Sequence, residues 1–278
     1  MLGAVIGDII GSTYEFTRQK RYDFELLPSG SRFTDDSVMT VAVAHWLCKY
    51  IDEGHPMDKL IQTMQEFGHK YPLAGYGSSF NAWLWCENPQ PYNSWGNGAA
   101  MRVSPVGLYA ETLDEALELA KRTAEVSHNH PEGIKGAQAV AAAVWMAMHG
   151  HTKDEIRDYI TETFHYDLSR TVDEIRHTYQ WDVSCQGSVP ESIICFLEGK
   201  DFVDVVRLAV SLGGDADTMA CIAGSIANCI YPIPEEIGDK CMELLPDEFE
   251  QILEKASRLF ALKRFLDKRN KFYTSEES

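Results

Sequence analysis

Apolar residues recur along this chain at helical spacing. Val38, Val41, Ala42, Trp46 and Leu47 share one face of a helix, as do Leu113, Leu117 and Ala120. The same period runs through residues 137–148, 156–160, 203–210, 222–230 and 253–266, and no regular set of alternating, strand-like segments accompanies it. Helix starts are marked too. Thr112 precedes Asp114-Glu115, Thr152 precedes Asp154-Glu155, and Ser188 stands just before Pro190-Glu191, in each case a capping hydroxyl followed by first-turn acids. Roughly ten helices are expected.

Glycine-rich loops fall at Gly75-Tyr76-Gly77-Ser78-Ser79, Trp95-Gly96-Asn97-Gly98 and Gly213-Gly214, but no Ser/Gly/Pro linker is long enough to separate two cores. Ala220, Ala223, Gly224 and Ala227 recur at helical spacing, so the helix carrying them can approach a neighbour closely. The expected fold class is therefore all-α, one domain over residues 1–278. Arg258, Lys263, Arg264, Lys268, Arg269 and Lys271 make the last helix basic, with Leu259, Leu262, Phe265 and Leu266 on its other side. This reads as an amphipathic helix packed on the body.

Composition narrows the chemistry. A 278-residue chain with 45% hydrophobic and 24% charged residues can bury a sizeable core. The net charge of -17 argues against a general grip on nucleic acid, yet divalent cations can bridge an acidic protein to a phosphate-bearing ligand. Seven scattered cysteines without a CxxC pair read as reduced thiols of a cytoplasmic protein. The apolar residues 1–10 include Asp8 and no basic leader, so neither export nor a membrane span is expected. HExxH, GxSxG and GxxxxGK[ST] are all absent.

Two short segments carry the candidate chemistry: Thr34-Asp35-Asp36-Ser37, and Asp215-Ala216-Asp217-Thr218 after Gly213-Gly214. Each offers two carboxylates beside a hydroxyl, directly ahead of an apolar helical run. These are the oxygen ligands of a hard divalent cation, held where a helix N-terminus favours ionised carboxylates. A helix cap explains either segment alone as well, although a cap needs only one oxygen. If all four carboxylates converge, their repulsion calls for cations.

Five segments, in order, resemble the motifs of the ADP-ribosylglycohydrolase family. They are Gly7-Asp8-Ile9-Ile10-Gly11-Ser12-Thr13-Tyr14-Glu15, Phe33-Thr34-Asp35-Asp36-Ser37, Trp95-Gly96-Asn97-Gly98-Ala99-Ala100-Met101-Arg102, Ser127-His128-Asn129-His130, and Gly213-Gly214-Asp215-Ala216-Asp217-Thr218. The resemblance implies a compact orthogonal helical bundle whose central cleft holds two Mg²⁺ or Mn²⁺ ions. It implies cleavage of the N- or O-glycosidic bond at the anomeric carbon of the distal ribose, in an ADP-ribosylated protein or small ADP-ribose conjugate.

Carried over by position, Thr34, Asp35, Asp36, Asp215, Asp217 and Thr218 would hold the metals, and Glu15 with Asp215 would serve catalysis. Asp8, between Gly7 and Gly11, would support helix packing or the ligands. Gly75, Tyr76, Gly77, Ser78, Gly96, Asn97 and Gly98 would approach the ADP moiety, Trp95 would stack on adenine, and His128 and His130 would contact ribose or phosphate. The two histidines, at i and i+2, do not share a helix face and make no helical zinc pair. Ser37 and Trp95 depart from the threonine and tyrosine of the family pattern. Two further readings remain: another two-metal hydrolase attacking a phosphoester, and an ADP-ribose binding protein without turnover.

Overall fold

The computed structural model describes the backbone of residues 1–275 and the side chains of residues 1–266. These residues form α1 (Leu2–Gly11), α2 (Asp35–Lys49), α3 (Met57–Lys70), α4 (Ser78–Leu84), α5 (Gly98–Met101), α6 (Ser104–Tyr109), α7 (Leu113–Glu125) and α8 (Pro131–Met148). There follow α9 (Lys153–Phe164), α10 (Val172–Thr178), α11 (Cys185–Glu198), α12 (Phe202–Val210), α13 (Ala216–Ala227), α14 (Glu235–Met242) and α15 (Asp247–Ser275). The chain is all-α. Among the described residues the only β-type pairing is an isolated bridge between Gly96 and Ser184.

The apolar stripes correspond to α2, α7, α8, α9, α12, α13 and α15. The helices beyond the expected ten include α4, α5, α6, α10 and α14, which are four to eight residues long and too short to display a hydrophobic period. Thr112 and Thr152 cap α7 and α9, the latter through a reciprocal capping box with Glu155. Ser188 is not a cap. The first turn of α11 is capped by Ser184, and Pro190 lies within the helix.

A glycine ridge determines how α1 meets α13. Gly3, Gly7 and Gly11 repeat every four residues and face Gly224, Ala220 and Ala216. A Cβ at Gly7 would stand 2.1 Å from the Ala220 carbonyl oxygen, and one at Gly3 would stand 2.3 Å from that of Gly224. Any side chain there forces the helices apart. With it absent, the two backbones touch, all twelve residues of α13 are buried, and Asp8 is carried next to the start of α13. One connected apolar core extends from Met1 to Phe260 around this pair.

The last helix packs differently from expectation. Leu259 is partly buried against the core, but Leu262, Phe265 and Leu266 are exposed. Lys263 instead turns inward to Glu111 and Glu115 (3.2 and 3.6 Å), and Arg264 donates to the Leu108 carbonyl. The side chains of Lys268, Arg269 and Lys271 lie outside the described residues. Among the described residues, no helix is long and apolar enough to cross a membrane.

Candidate metal and substrate site

The two acidic segments, 182 residues apart in sequence at their point of contact, meet in space. Thr34 caps α2 and places Asp35 and Asp36 in its first turn. Asp215 occupies the cap position of α13, with Asp217 in the first turn. Thr218 Oγ1 donates to Asp36 Oδ2 at 3.2 Å, joining the segments directly. Asp215 makes no side-chain capping bond and instead accepts from Asn97 Nδ2 at 2.7 Å. Its carboxylate is thereby aimed into a cavity of about 500 Å³ shared with Glu15.

Asp8 anchors this arrangement from α1. It accepts hydrogen bonds from Thr34 N (2.9 Å), Thr34 Oγ1 (2.7 Å), Ser37 N (3.1 Å) and Ser37 Oγ. A carboxylate offers about four acceptor positions, so those of Asp8 are largely occupied by the start of α2. It also lies in reach of Asp36 and Asp217, with one carboxylate oxygen from each within 4.8 Å of the others. Glu15, Asp215 and Asp217 form a second such group.

These groups fit hard divalent cations on three counts. Asp36 Oδ1 is buried with no hydrogen-bond partner. Neither Glu15 nor any of the five clustered aspartates forms an ion pair with lysine, arginine or histidine among the described residues. Burial, followed by repulsion from neighbouring carboxylates, pushes Asp36 and Asp217 well above the ordinary carboxylate range and Asp35 up to about 8. Glu15 is pushed up to about 7 by burial and then by Asp215, a rise that Arg32 opposes. Asp215 is raised by burial, against the hydrogen bond from Asn97. A cluster so short of positive charge is stabilised by cations that displace its protons.

The remaining lining is built from glycine loops and rings. Gly75, Gly77 and Ser78 approach from the start of α4, with Gly75 in the left-handed region at φ +108°. Gly96, Asn97, Gly98 and His128 complete another part of the wall. Tyr76 and Trp95 are not among the lining residues: the Tyr76 ring packs on Phe80, and Trp95 stands edge-on to His130 and half-exposed. His130 is engaged elsewhere, since its Nδ1 accepts from Glu132 N and caps α8.

Sequence reasoning missed Arg32, Tyr92, Ser94, Trp181 and Val183, which also line the cavity. Arg102 was visible as the end of the glycine motif, but its cavity position was not. Trp181 and Val183 lie on a loop with no local signature; Asn97 N finds it by donating to the Val183 carbonyl at 2.8 Å. Lys20 ties the segment after Glu15 to the same region by donating to the carbonyls of Arg176, Tyr179 and Leu212.

A bundle of helices whose core helix begins in a carboxylate cluster, opening on glycine loops, defines the class. The sequence profile of the ADP-ribosylglycohydrolase family matches residues 1–268, and the chain belongs to that family. It is 27% identical to ADP-ribosylhydrolase ARH3 of Homo sapiens over 87% of each chain. It is 23% identical to ADP-ribosylarginine hydrolase Tri1 of Pseudomonas putida, covering 84% of this chain and 70% of that one. A solved ADP-ribosylglycohydrolase-related protein complex shares the fold, with a TM-score of 0.72, 23% identity and coverage of 94% of this chain and 95% of the other.

Proposed function

We propose that this protein hydrolyses the N- or O-glycosidic bond at the anomeric carbon of the distal ribose, releasing ADP-ribose from a modified protein side chain or small conjugate. The observation that carries the reading is the meeting of Asp36, with its unpartnered Oδ1, and Asp217 in a glycine-walled cavity that also holds Glu15. Thr34, Asp35, Asp36, Asp215, Asp217 and Thr218 would hold two Mg²⁺ or Mn²⁺ ions. Such ions supply a fixed positive charge that orients ribose hydroxyls and makes a bound oxygen more acidic.

The chain's own groups do the rest. The transition state of glycoside cleavage has oxocarbenium character, which surrounding carboxylates stabilise electrostatically. Glu15, half-buried in the cavity beside Asp215 and Asp217, would exchange a proton with the attacking water or the departing acceptor atom. Asp215, held by Asn97 through a 2.7 Å hydrogen bond, would share that acid–base task. Gly75, Gly77, Ser78, Gly96 and Gly98 let backbone N–H groups come close to a diphosphate. The seven free thiols suit a reducing, cytoplasmic setting.

The test is a panel of arginine-, serine- and acetyl-linked ADP-ribose substrates with Mg²⁺, Mn²⁺ or chelator, alongside Glu15→Gln. Free ADP-ribose and an unmodified acceptor, lost with chelator, are expected. AMP with ribose phosphate would instead identify a phosphoester hydrolase, and binding without turnover on every linkage a non-catalytic protein.

A further inference from the structure

His128 is held by a chain of hydrogen bonds that begins at a buried cation. Arg102 is fully buried, and its Nη2 donates to the Thr123 carbonyl (2.8 Å) and to Ser127 Oγ (2.9 Å). Its Nε has no hydrogen-bond partner, and its guanidinium faces no carboxylate in an ion pair among the described residues. Phe80 lies 5.6 Å from the guanidinium carbon. Ser127 Oγ in turn stands 2.8 Å from His128 Nδ1.

The direction of that last bond follows from proton counting. Arginine can only donate, so Ser127 Oγ accepts from Arg102 and has one proton of its own to place. Ser127 is fully buried, and the acceptor within reach of that hydroxyl is His128 Nδ1. The opposite arrangement, with a proton on Nδ1, would leave the serine proton buried and unpaired, which is costly. Nδ1 is therefore the acceptor, and the imidazole carries its proton on Nε2. Nothing among the described residues hydrogen-bonds to Nε2. It lies against Gly96 and Gly98, where an added Cβ would come within 3.6 and 3.1 Å of it.

We infer that Arg102 and Ser127 are positioning residues that lock His128 as a neutral Nε2–H donor, offered past Gly96 and Gly98 to an anionic oxygen of the substrate. Burial and then the Arg102 charge hold His128 well below the ordinary histidine range. The other titratable groups near this assembly, the Tyr92 phenol beside His128 and the Cys185 thiol beside Arg102, are neutral at physiological pH, their own values being raised by burial. Two glycines at this point thus have a specific consequence: they leave a ring nitrogen uncovered. The identity of the anion rests on the ADP-ribose reading, whereas the tautomer does not.

The test is a two-bond ¹H–¹⁵N correlation spectrum of the full chain labelled with ¹⁵N-histidine, paired with calorimetric titration of ADP-ribose in the presence of Mg²⁺. Wild type is expected to show His128 protonated on Nε2 and bare on Nδ1. Ser127→Ala is expected to lose that single tautomer and to bind ADP-ribose roughly tenfold more weakly. Gly98→Ala should keep the tautomer but weaken binding by covering Nε2. A wild-type proton on Nδ1, an unchanged tautomer in Ser127→Ala, or unchanged ADP-ribose affinity once the tautomer has changed would each overturn the proposal. If Ser127→Ala does not fold, the wild-type spectrum and Gly98→Ala decide the matter. Failure of wild type to bind ADP-ribose would defeat the functional reading while leaving the tautomer assignment to its own spectrum.

Discussion

The carboxylate cluster and the Arg102–Ser127–His128 wall are two buried polar regions of one cavity, and they balance their electrostatics in opposite ways. The wall is largely paired within the protein: Arg102 donates to a carbonyl and a hydroxyl, and that hydroxyl donates in turn to a neutral ring, leaving Arg102 Nε without a partner. The cluster stays open. Its aspartates face one another, Asp36 Oδ1 has no partner, and burial drives their protonation upward. A buried polar group satisfied within the protein gives a fixed surface, whereas one left unsatisfied stores a demand for an external ion.

The largest break in this contrast comes from removing the open demand. Asp217→Asn is expected to lower metal-dependent turnover by more than about 100-fold, beyond the range typical of groups that only support ligands. Metal titration by calorimetry together with initial rates checks this, and full activity with unchanged metal affinity would defeat the assignment. Glu15→Gln should cut kcat by about 10²–10⁴-fold while metal affinity is retained, because its proposed task is proton transfer. Equal losses in metal binding would move Glu15 from the acid–base role to that of a ligand.

Asp8→Asn tests the boundary between the regions, since Asp8 is a cluster carboxylate already satisfied by Thr34 and Ser37. Metal affinity should fall by about 10–100-fold. Gly7→Ala acts one level further out. Pushing α1 from α13 should cost about 1–3 kcal/mol in denaturant unfolding, with weaker metal binding as Asp8 withdraws from Asp217.

The gentlest probe is pH. In the folded, metal-free protein Glu15 stands at about 7 and Asp35 at about 8, against ordinary values of 4.5 and 3.8. The native state therefore holds protons that the unfolded chain has released, and stability falls as pH rises. The contribution of these two groups is fully present below the ordinary values and is lost as pH rises through about 7 and then about 8. Saturating Mg²⁺ should flatten the decline; a metal-free stability that climbs between pH 5 and 8 would show that these carboxylates are not mutually destabilised.

Much of this was legible in the chain. Most long helices declared themselves through apolar spacing, although α3 was not among them, and Thr112 and Thr152 marked two helix starts through capping chemistry, because both signals are local. The acidic segments were readable as ligand chemistry, and Gly7 and Gly11 as a close-packing face. Tyr76, Trp95 and His130 show the limit. A residue inside a glycine or histidine motif can line the cavity or pack beside it, and neighbouring rings and caps decide which. The basic tail reversed in the same way: ion pairs drew Lys263 inward and a carbonyl hydrogen bond drew Arg264 inward, while Phe265 was left exposed.

The sequence by itself determined an all-α chain, two carboxylate-rich helix starts and the glycines that let helices touch, since each depends on residues within a few turns of one another. Tertiary structure alone decided that those starts meet, that Asp8 braces one of them, and that a buried arginine sets the proton on a distant histidine. Those outcomes depend on distances between segments far apart in the chain, which packing fixes and local chemistry does not.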